Sequence, residues 1–371
     1  MRKNKRSSKL FALVIIAGLC FIGSKSLLNH TSTEPSIDLA KSLPSVAFAT
    51  EGQNETDTLY YEDGSVYVGH VTKDQLRDGS GSYAWETGEL YSGEWKNNQL
   101  TGEGTLIWPD LGTYTGQFKN GKREGLGTFT WMYESDPKVG DPISFEGIWQ
   151  DDKIGKKGKL VLAGIGTYEG AFSKQHRSGK GTFTWETGDV YEGAWTNDVI
   201  TGEGKLTLSD GTILKGMFVK GILQTGTMQY LVKNGTASQK IENGKVSSAI
   251  TIKYTDGTTV SGKVQKGEFI GNVTIHYQSG DRYIGKLKQG MKDGMGTYTW
   301  KNGAHYTGEW SKDKMSGKGK YYYGKDEKKN YLSGNFSNGL PSGKLTYIGD
   351  NGLKYETTWS NGKCTNIVYK K

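Results

Sequence analysis

The stretch Tyr91 to Gly112, YSGEWKNNQLTGEGTLIWPDLG, recurs from Tyr191 to Gly211 as YEGAWTNDVITGEGKLTLSDG. Each copy opens on Tyr-x-Gly-x-Trp, crosses a polar turn and resumes with Gly-x-Gly-x-Leu before a second turn. Side chains of an extended strand alternate faces. Tyr91, Gly93 and Trp95 therefore share one face, and Ser92, Glu94 and Lys96 the other. On the returning strand, the same alternation puts Gly102, Gly104, Leu106 and Trp108 together. The pattern predicts a β-hairpin with an aromatic-and-glycine face and a mainly polar face. A glycine leaves a hole in the side-chain layer, and a ring on a neighbouring strand can lie across it. Such a sheet covers its own backbone and needs no second sheet.

Successive openings fall at Tyr67, Tyr91, Tyr114, Phe145, Tyr168, Tyr191 and Leu214, in steps of 24, 23, 31, 23, 23 and 23 residues. The long step holds a turn-rich insertion between Trp131 and Phe145, expected as a surface loop. From Leu214 to Gly280 the pattern thins but keeps phase. Gln239 stands where a glycine is due, Val273 replaces another, and Ile250, Ile252 and Ile275 take inward positions. The strong pattern returns at Tyr283 and Tyr306, and the last unit stops short at Lys371. With 55 glycines and only 34% hydrophobic residues, the chain has no material for a large aliphatic core, and a repeat architecture fits.

Residues 1–30 read as a signal-anchor or signal peptide, a basic start followed by the uncharged run Leu10 to Gly23. The run is short of the roughly 20 apolar residues that span a bilayer. A cleaved signal and a retained apolar helix both remain open, and the residues lean towards the anchor. Either way the basic side stays in the cytoplasm and the body is exported: a single-pass cell-membrane protein with the repeats outside, or a secreted protein after cleavage. Residues 31–58 read as a flexible linker and 59–371 as the repeat domain. Six of the eight net positive charges are Arg2, Lys3, Lys5, Arg6, Lys9 and Lys25, leaving +2 for residues 26–371. No nucleic-acid partner is expected for the body.

The spacing YxGxW…GxGxYxW resembles the MORN repeat, the membrane occupation and recognition nexus motif, from about Tyr60 to Lys371, in a bacterial exported or membrane-anchored setting. The resemblance implies an all-β, elongated, single-layer antiparallel meander of about twelve 23-residue hairpins, which the apolar segment would precede as one N-terminal helix. Similar repeats bind, tether or dimerise in proteins of differing activity, so the resemblance implies no single reaction.

The chemistry of the remaining residues points away from catalysis. His30, His70, His176, His276 and His305 share no metal-ligand spacing. Gly-Lys pairs such as Gly121-Lys122 never complete a phosphate loop. No enzyme activity, cofactor or metal is expected. Cys364 is expected as a half-buried filler. The lysine-rich turns Lys153 to Lys159 and Lys312 to Lys329 read as solvated edges, with a patch for anionic lipid or wall polymer as the weaker reading. The tryptophans, including Trp108 and Trp149, read first as cover for the glycines. As a binding face the candidates are Trp85, Trp95, Trp131, Trp185, Trp195, Trp300 and Trp310. The expected function is a non-catalytic, membrane-tethered scaffold for a protein partner or an envelope component, with open sheet edges that invite a homodimer. The alternative is a repeat protein whose rings bind cell-wall carbohydrate.

Overall fold

The structure, a computed structural model, describes residues 56–370. Among them are twenty-eight β-strands and no helix. The described fold is therefore an all-β antiparallel meander. This corrects the fold class expected from sequence, which included an N-terminal apolar helix. That helix lies outside the described residues, and every described repeat closes as strand, turn and strand with no stretch left for helical pairing. The first strand, Thr56–Tyr60, starts before residue 59 and pairs with Val66–Val71. The repeats divide into two compact units. One comprises residues up to Ser209 with Gly216–Leu223, and the other Asp210–Lys215 with Gln224 onwards.

The hairpins close through two-residue turns with both residues at positive φ, such as Asn97 (48°) with Asn98 (67°) and Asn197 (46°) with Asp198 (66°). Such turns carry the twist that flanking strands require. Elsewhere glycine takes the second place, as at Asn120 and Gly121.

Within the first unit, from the strand Val66–Val71 onwards, one glycine from each strand aligns in a continuous row, from Gly69 through Gly81, Gly93, Gly104, Gly116, Gly127, Gly147, Gly158, Gly170, Gly181 and Gly193 to Gly204. The ring that covers each hairpin's pair stands two positions before the first glycine on the same strand, a tyrosine except at Phe145. A Cβ added at Gly93 or Gly104 would penetrate the Tyr91 ring. Gly116 and Gly127 stand in the same relation to Tyr114, and Gly285 and Gly296 to Tyr283. Beyond the glycine pair the strand register slips. The ring's hydroxyl donates to the carbonyl at that slip, Tyr91 to Glu94 at 3.0 Å, Tyr168 to Ala171 at 2.8 Å and Tyr191 to Ala194 at 3.1 Å. Tyr67, Tyr114, Tyr283 and Tyr306 do the same. Thus one side chain fills the hole and satisfies a main-chain acceptor that the bulge takes out of regular pairing.

The two glycines of Gly-x-Gly have different causes. Gly104 makes room for the ring, whereas Gly102 sits in the slip at φ +52°, and a Cβ there would strike the Glu94 carboxylate on the polar side. Placing Gly102 on the aromatic face by simple alternation is thus corrected by the bulge.

In the thinner tract the substitutions are concerted. Where the ring is missing, as at Ala237, the glycine pair becomes Gln239 opposite Ile250. Gln239 accepts from the Tyr230 hydroxyl at 3.0 Å and donates to Ser247 O at 2.7 Å. Where Val260 replaces the ring, buried Val273 packs against Gly262. Volume lost from one strand is returned by its neighbour, which cores tolerate.

Two outcomes follow from this geometry. Gly104→Val should destabilise its unit by about 1–3 kcal/mol, the usual cost of overpacking, although valine is the better strand former. Adding Tyr91→Val should recover part of that loss, read as a non-additive double-mutant cycle in denaturant unfolding. Phe145 covers Gly147 and Gly158 without a hydroxyl. Phe145→Tyr should place a donor at Ile148 O and raise stability by about 1 kcal/mol; an unchanged or lowered midpoint would contradict the assigned role of the hydroxyl.

Candidate functional site

The aromatic face carries two kinds of tryptophan, told apart by their phase in the hairpin. The first closes the opening strand. Trp95, Trp195 and Trp310 are 3%, 5% and 6% exposed, and Trp149 is likewise buried. Their indole N–H groups donate to glycine carbonyls on the preceding strand, Trp95 to Gly81 O at 3.1 Å and Trp310 to Gly296 O at 3.1 Å. Each stands edge-on to the opening ring of its own hairpin, a tyrosine or, for Trp149, Phe145, and to the opening ring before it: Trp95 lies 5.2 Å from Tyr91 and 5.5 Å from Tyr67. Phenylalanine takes this place in alternate hairpins, so the edge-to-face chain runs unbroken from Tyr67 through Phe118, Trp149 and Phe172 to Phe218. Such pairs contribute roughly 0.5–1.5 kcal/mol beyond their buried area.

The second kind ends the returning strand. Trp85, Trp108, Trp131, Trp185 and Trp300 are half-buried. Four of them rest against a ring two residues earlier, Trp85 on Tyr83 at 4.6 Å, Trp131 on Phe129 at 4.8 Å, Trp185 on Phe183 at 4.7 Å and Trp300 on Tyr298 at 4.9 Å. The seven sequence candidates therefore separate. Trp95, Trp195 and Trp310 belong to the packed interior of the face, and Trp85, Trp131, Trp185 and Trp300 to an accessible outer row.

A cluster not foreseen from sequence lies between these rows. Arg77, Arg123 and Arg177 start returning strands, and each guanidinium lies over the tryptophan of the next hairpin, at 4.3 Å from Trp95, 4.5 Å from Trp149 and 4.7 Å from Trp195. Each is locked by the next hairpin's turn. Asp198 accepts from the Arg177 main-chain N–H and from Nε, both at 2.9 Å, while Arg177 Nη2 donates to Asp198 O. Asp152 holds Arg123 in the same way and Asn98 holds Arg77. In the second unit Lys292 takes the place, 5.4 Å from the Trp310 ring and 3.4 Å from Asp313. The hairpins between carry Leu100, Ile154 and Ile200 at this position. That alternation of cation with aliphatic residue, in phase with phenylalanine and tryptophan, is the sequence signal that would have revealed the cluster.

The electrostatics fit a structural role. Burial raises the Asp198 carboxyl, but hydrogen bonds from the Arg177 N–H, from His176 and from the Arg177 side chain outweigh it and hold the group below its ordinary value. Burial pushes Tyr114, Tyr168, Tyr191 and Tyr283 up to about 12, which keeps their hydroxyls as donors near neutrality. Among the described residues no group of three or more His, Cys, Asp or Glu side chains could hold a metal. Cys364, expected as a half-buried filler, is exposed, and so is every residue of the strand Lys363–Lys370. No described helix is long and apolar enough to cross a membrane.

With the tyrosine, glycine pair and closing ring in place, the comparison with known families is direct. The MORN repeat is detected seven times in this chain. The matches cover residues 91–113, 114–132, 168–190, 191–213, 283–305, 306–326 and 333–354. The hairpins opening at Tyr67 and Phe145 lie outside these matches and share the same glycine pairing. No curated protein matches the chain. Among solved structures, the TCP domain of SAS-4 from Drosophila melanogaster, in complex with a proline-rich motif of Ana2, matches at 13% identity and a TM-score of 0.24, over 52% of this chain and 84% of that one. A streptogramin B lyase matches at 12% identity and a TM-score of 0.13, over 85% and 93%.

Asp198 provides a pH test. Its folded carboxyl is depressed, so its contribution to stability is complete above the unfolded value near 3.8 and disappears as pH falls through the lower folded value. Asp198→Asn should flatten the acid limb of a stability-versus-pH profile below about pH 4, and it should lower stability near neutrality by about 1–3 kcal/mol because a buried guanidinium loses its charged partner. An unchanged acid limb would remove the ion pair from the account.

Proposed function

We propose that this chain is a non-catalytic scaffold, tethered to a membrane through its N-terminal apolar segment with the repeats on the outer side, and that it holds a protein partner against the outer tryptophan row. The observation carrying this reading is that Trp85, Trp131, Trp185 and Trp300 are accessible and already fixed by a ring behind them. Large rings held in one orientation lose little freedom on binding, and such residues dominate contact energies. The repeated motif supports a scaffold because the sheet rebuilds the same surface at each hairpin.

Cross-linking in intact cells should capture a partner with the wild-type chain. Trp131→Ala with Trp185→Ala should abolish that capture while leaving the unfolding midpoint nearly unchanged. Trp195→Ala should instead lower the midpoint, since a buried tryptophan truncated to alanine costs about 3–5 kcal/mol. Persistence of the captured partner in the outer-row double variant would reject this contact face. Protease added to intact cells should digest the repeats; digestion only after lysis would reject the topology.

A further inference from the structure

The two units differ on the face turned away from the rings. In the first unit this face carries exposed Glu94, Glu103, Glu146, Glu169, Glu192 and Glu203 among its lysines. In the second, the residue following the first glycine position is Lys240, then Lys263, then Lys286, each one hairpin on from the last and each exposed. Lys318 and Lys344 continue the same stripe across later strands, and Lys320 stands beside Lys318. Glu242, exposed two residues from Lys240 on its strand, Glu309 and Glu356 are acids on this face. Glu309 is engaged with the Lys318 main-chain N–H at 3.1 Å, and Glu356 is shared by Lys344 and Lys370 at 3.9 and 3.6 Å. Among the described residues Lys240, Lys263, Lys286 and Lys318 form no ion pair. The near-neutral body thus conceals a strongly basic face on one unit.

This stripe crosses an open groove of about 520 Å³. Its floor is the back of the glycine row, Gly308, Gly319 and Gly334, and hydroxyl and amide groups of Thr307, Ser333 and Asn335 line it with Lys318, Lys320 and Lys344. The missing side chains of Gly308 and Gly319 face the Tyr306 ring, so the groove on this face is the bare backbone between the outward side chains that flank the row.

We infer that the basic face of the second unit binds a linear acidic polysaccharide. Charge complementarity calls for an anion, and the arrangement of the lysines narrows its kind. Lys240, Lys263 and Lys286 recur every second strand, roughly 9.6 Å apart, and Lys318 follows three strands after Lys286, along a line rather than around a pocket, as suits a chain with repeated carboxylates or sulfates. Adjacent strands in a sheet rotate by roughly 20–25°, so a flexible polymer can follow a stripe that a flat membrane touches only locally. Single-stranded nucleic acid is held by stacking its bases on accessible rings. Here the ring rows lie on the opposite face, and the groove offers hydroxyls and an amide, which match sugar hydroxyls. This interaction does not depend on the protein partner proposed for the tryptophan row.

The test uses the full-length protein with polygalacturonate as probe, beside neutral dextran, a single-stranded oligonucleotide and phosphatidylserine-containing vesicles. Polygalacturonate should bind, dextran should not, and the slope of log affinity against log salt should fall by about 1 for each lysine removed. Lys263→Gln, Lys286→Gln and Lys318→Gln together should weaken binding at least tenfold with the unfolding midpoint unchanged. The matching first-unit variant, Lys157→Gln, Lys159→Gln and Lys180→Gln, should bind as wild type. Asn335→Ala should weaken binding without altering the salt slope. No binding at low salt, equal loss in both triple variants, or tighter binding of the oligonucleotide or the vesicles would each overturn the assignment. The partner cross-link at the tryptophan row should survive the lysine variants, which separates the two readings.

Discussion

A tyrosine ring laid along its own strand, over two glycines that face each other across the hairpin, is the contact on which the rest depends. It sets the distance of the opening tyrosine from the first glycine and the position of the second, because both must lie beneath one ring. It also permits the register slip, since its hydroxyl donates to the carbonyl that the slip sets aside. With the slip comes the need for a glycine at positive φ, as at Gly102 and Gly202. Four motif positions thus answer to one side chain. The tract around Ala237 and Val260 obeys the same rule in reverse: without a ring, the glycine places fill with Gln239, Ile250 and Val273.

The second level of organisation joins hairpins rather than strands. An arginine beginning one returning strand lies under the tryptophan of the next hairpin and is gripped by that hairpin's turn. A guanidinium buried this way needs both its aromatic roof and its carboxylate or amide acceptor. All three are supplied by neighbours in sequence, so each pair of hairpins is chemically complete. The intervening hairpins carry leucine or isoleucine at the arginine's position, opposite their own tryptophan, whereas Arg123 and Arg177 stand opposite Phe118 and Phe172.

Much of this was legible in the residues and some was not. Alternation and glycine spacing foretold the strands, turns and aromatic face, because both derive from the period of an extended chain. They did not identify the covering ring as tyrosine on the same strand, since alternation places residues on faces without giving the tilt of a side chain. They misplaced Gly102, because a bulge breaks the alternation they assume. They grouped Trp195 with Trp185, although one closes an opening strand and is buried while the other ends a returning strand and is accessible. Phase within the hairpin, not residue type, separates them. Arg177 went unnoticed because a charged residue beside a turn reads as solvated until its neighbour's indole is known to cover it. The basic face was hidden by averaging over units of opposite character.

The pairing of hairpins has a consequence for how such a chain can change in length. Inserting or deleting one hairpin in the first unit would bring two arginine hairpins, or two tryptophan hairpins, together. A guanidinium would then be left without an acceptor, or an acidic turn without its cation. Adding or removing two at once preserves every junction. Growth by duplication is therefore free of mismatch only in even steps, and the evolutionary module is twice the length that the visible motif suggests.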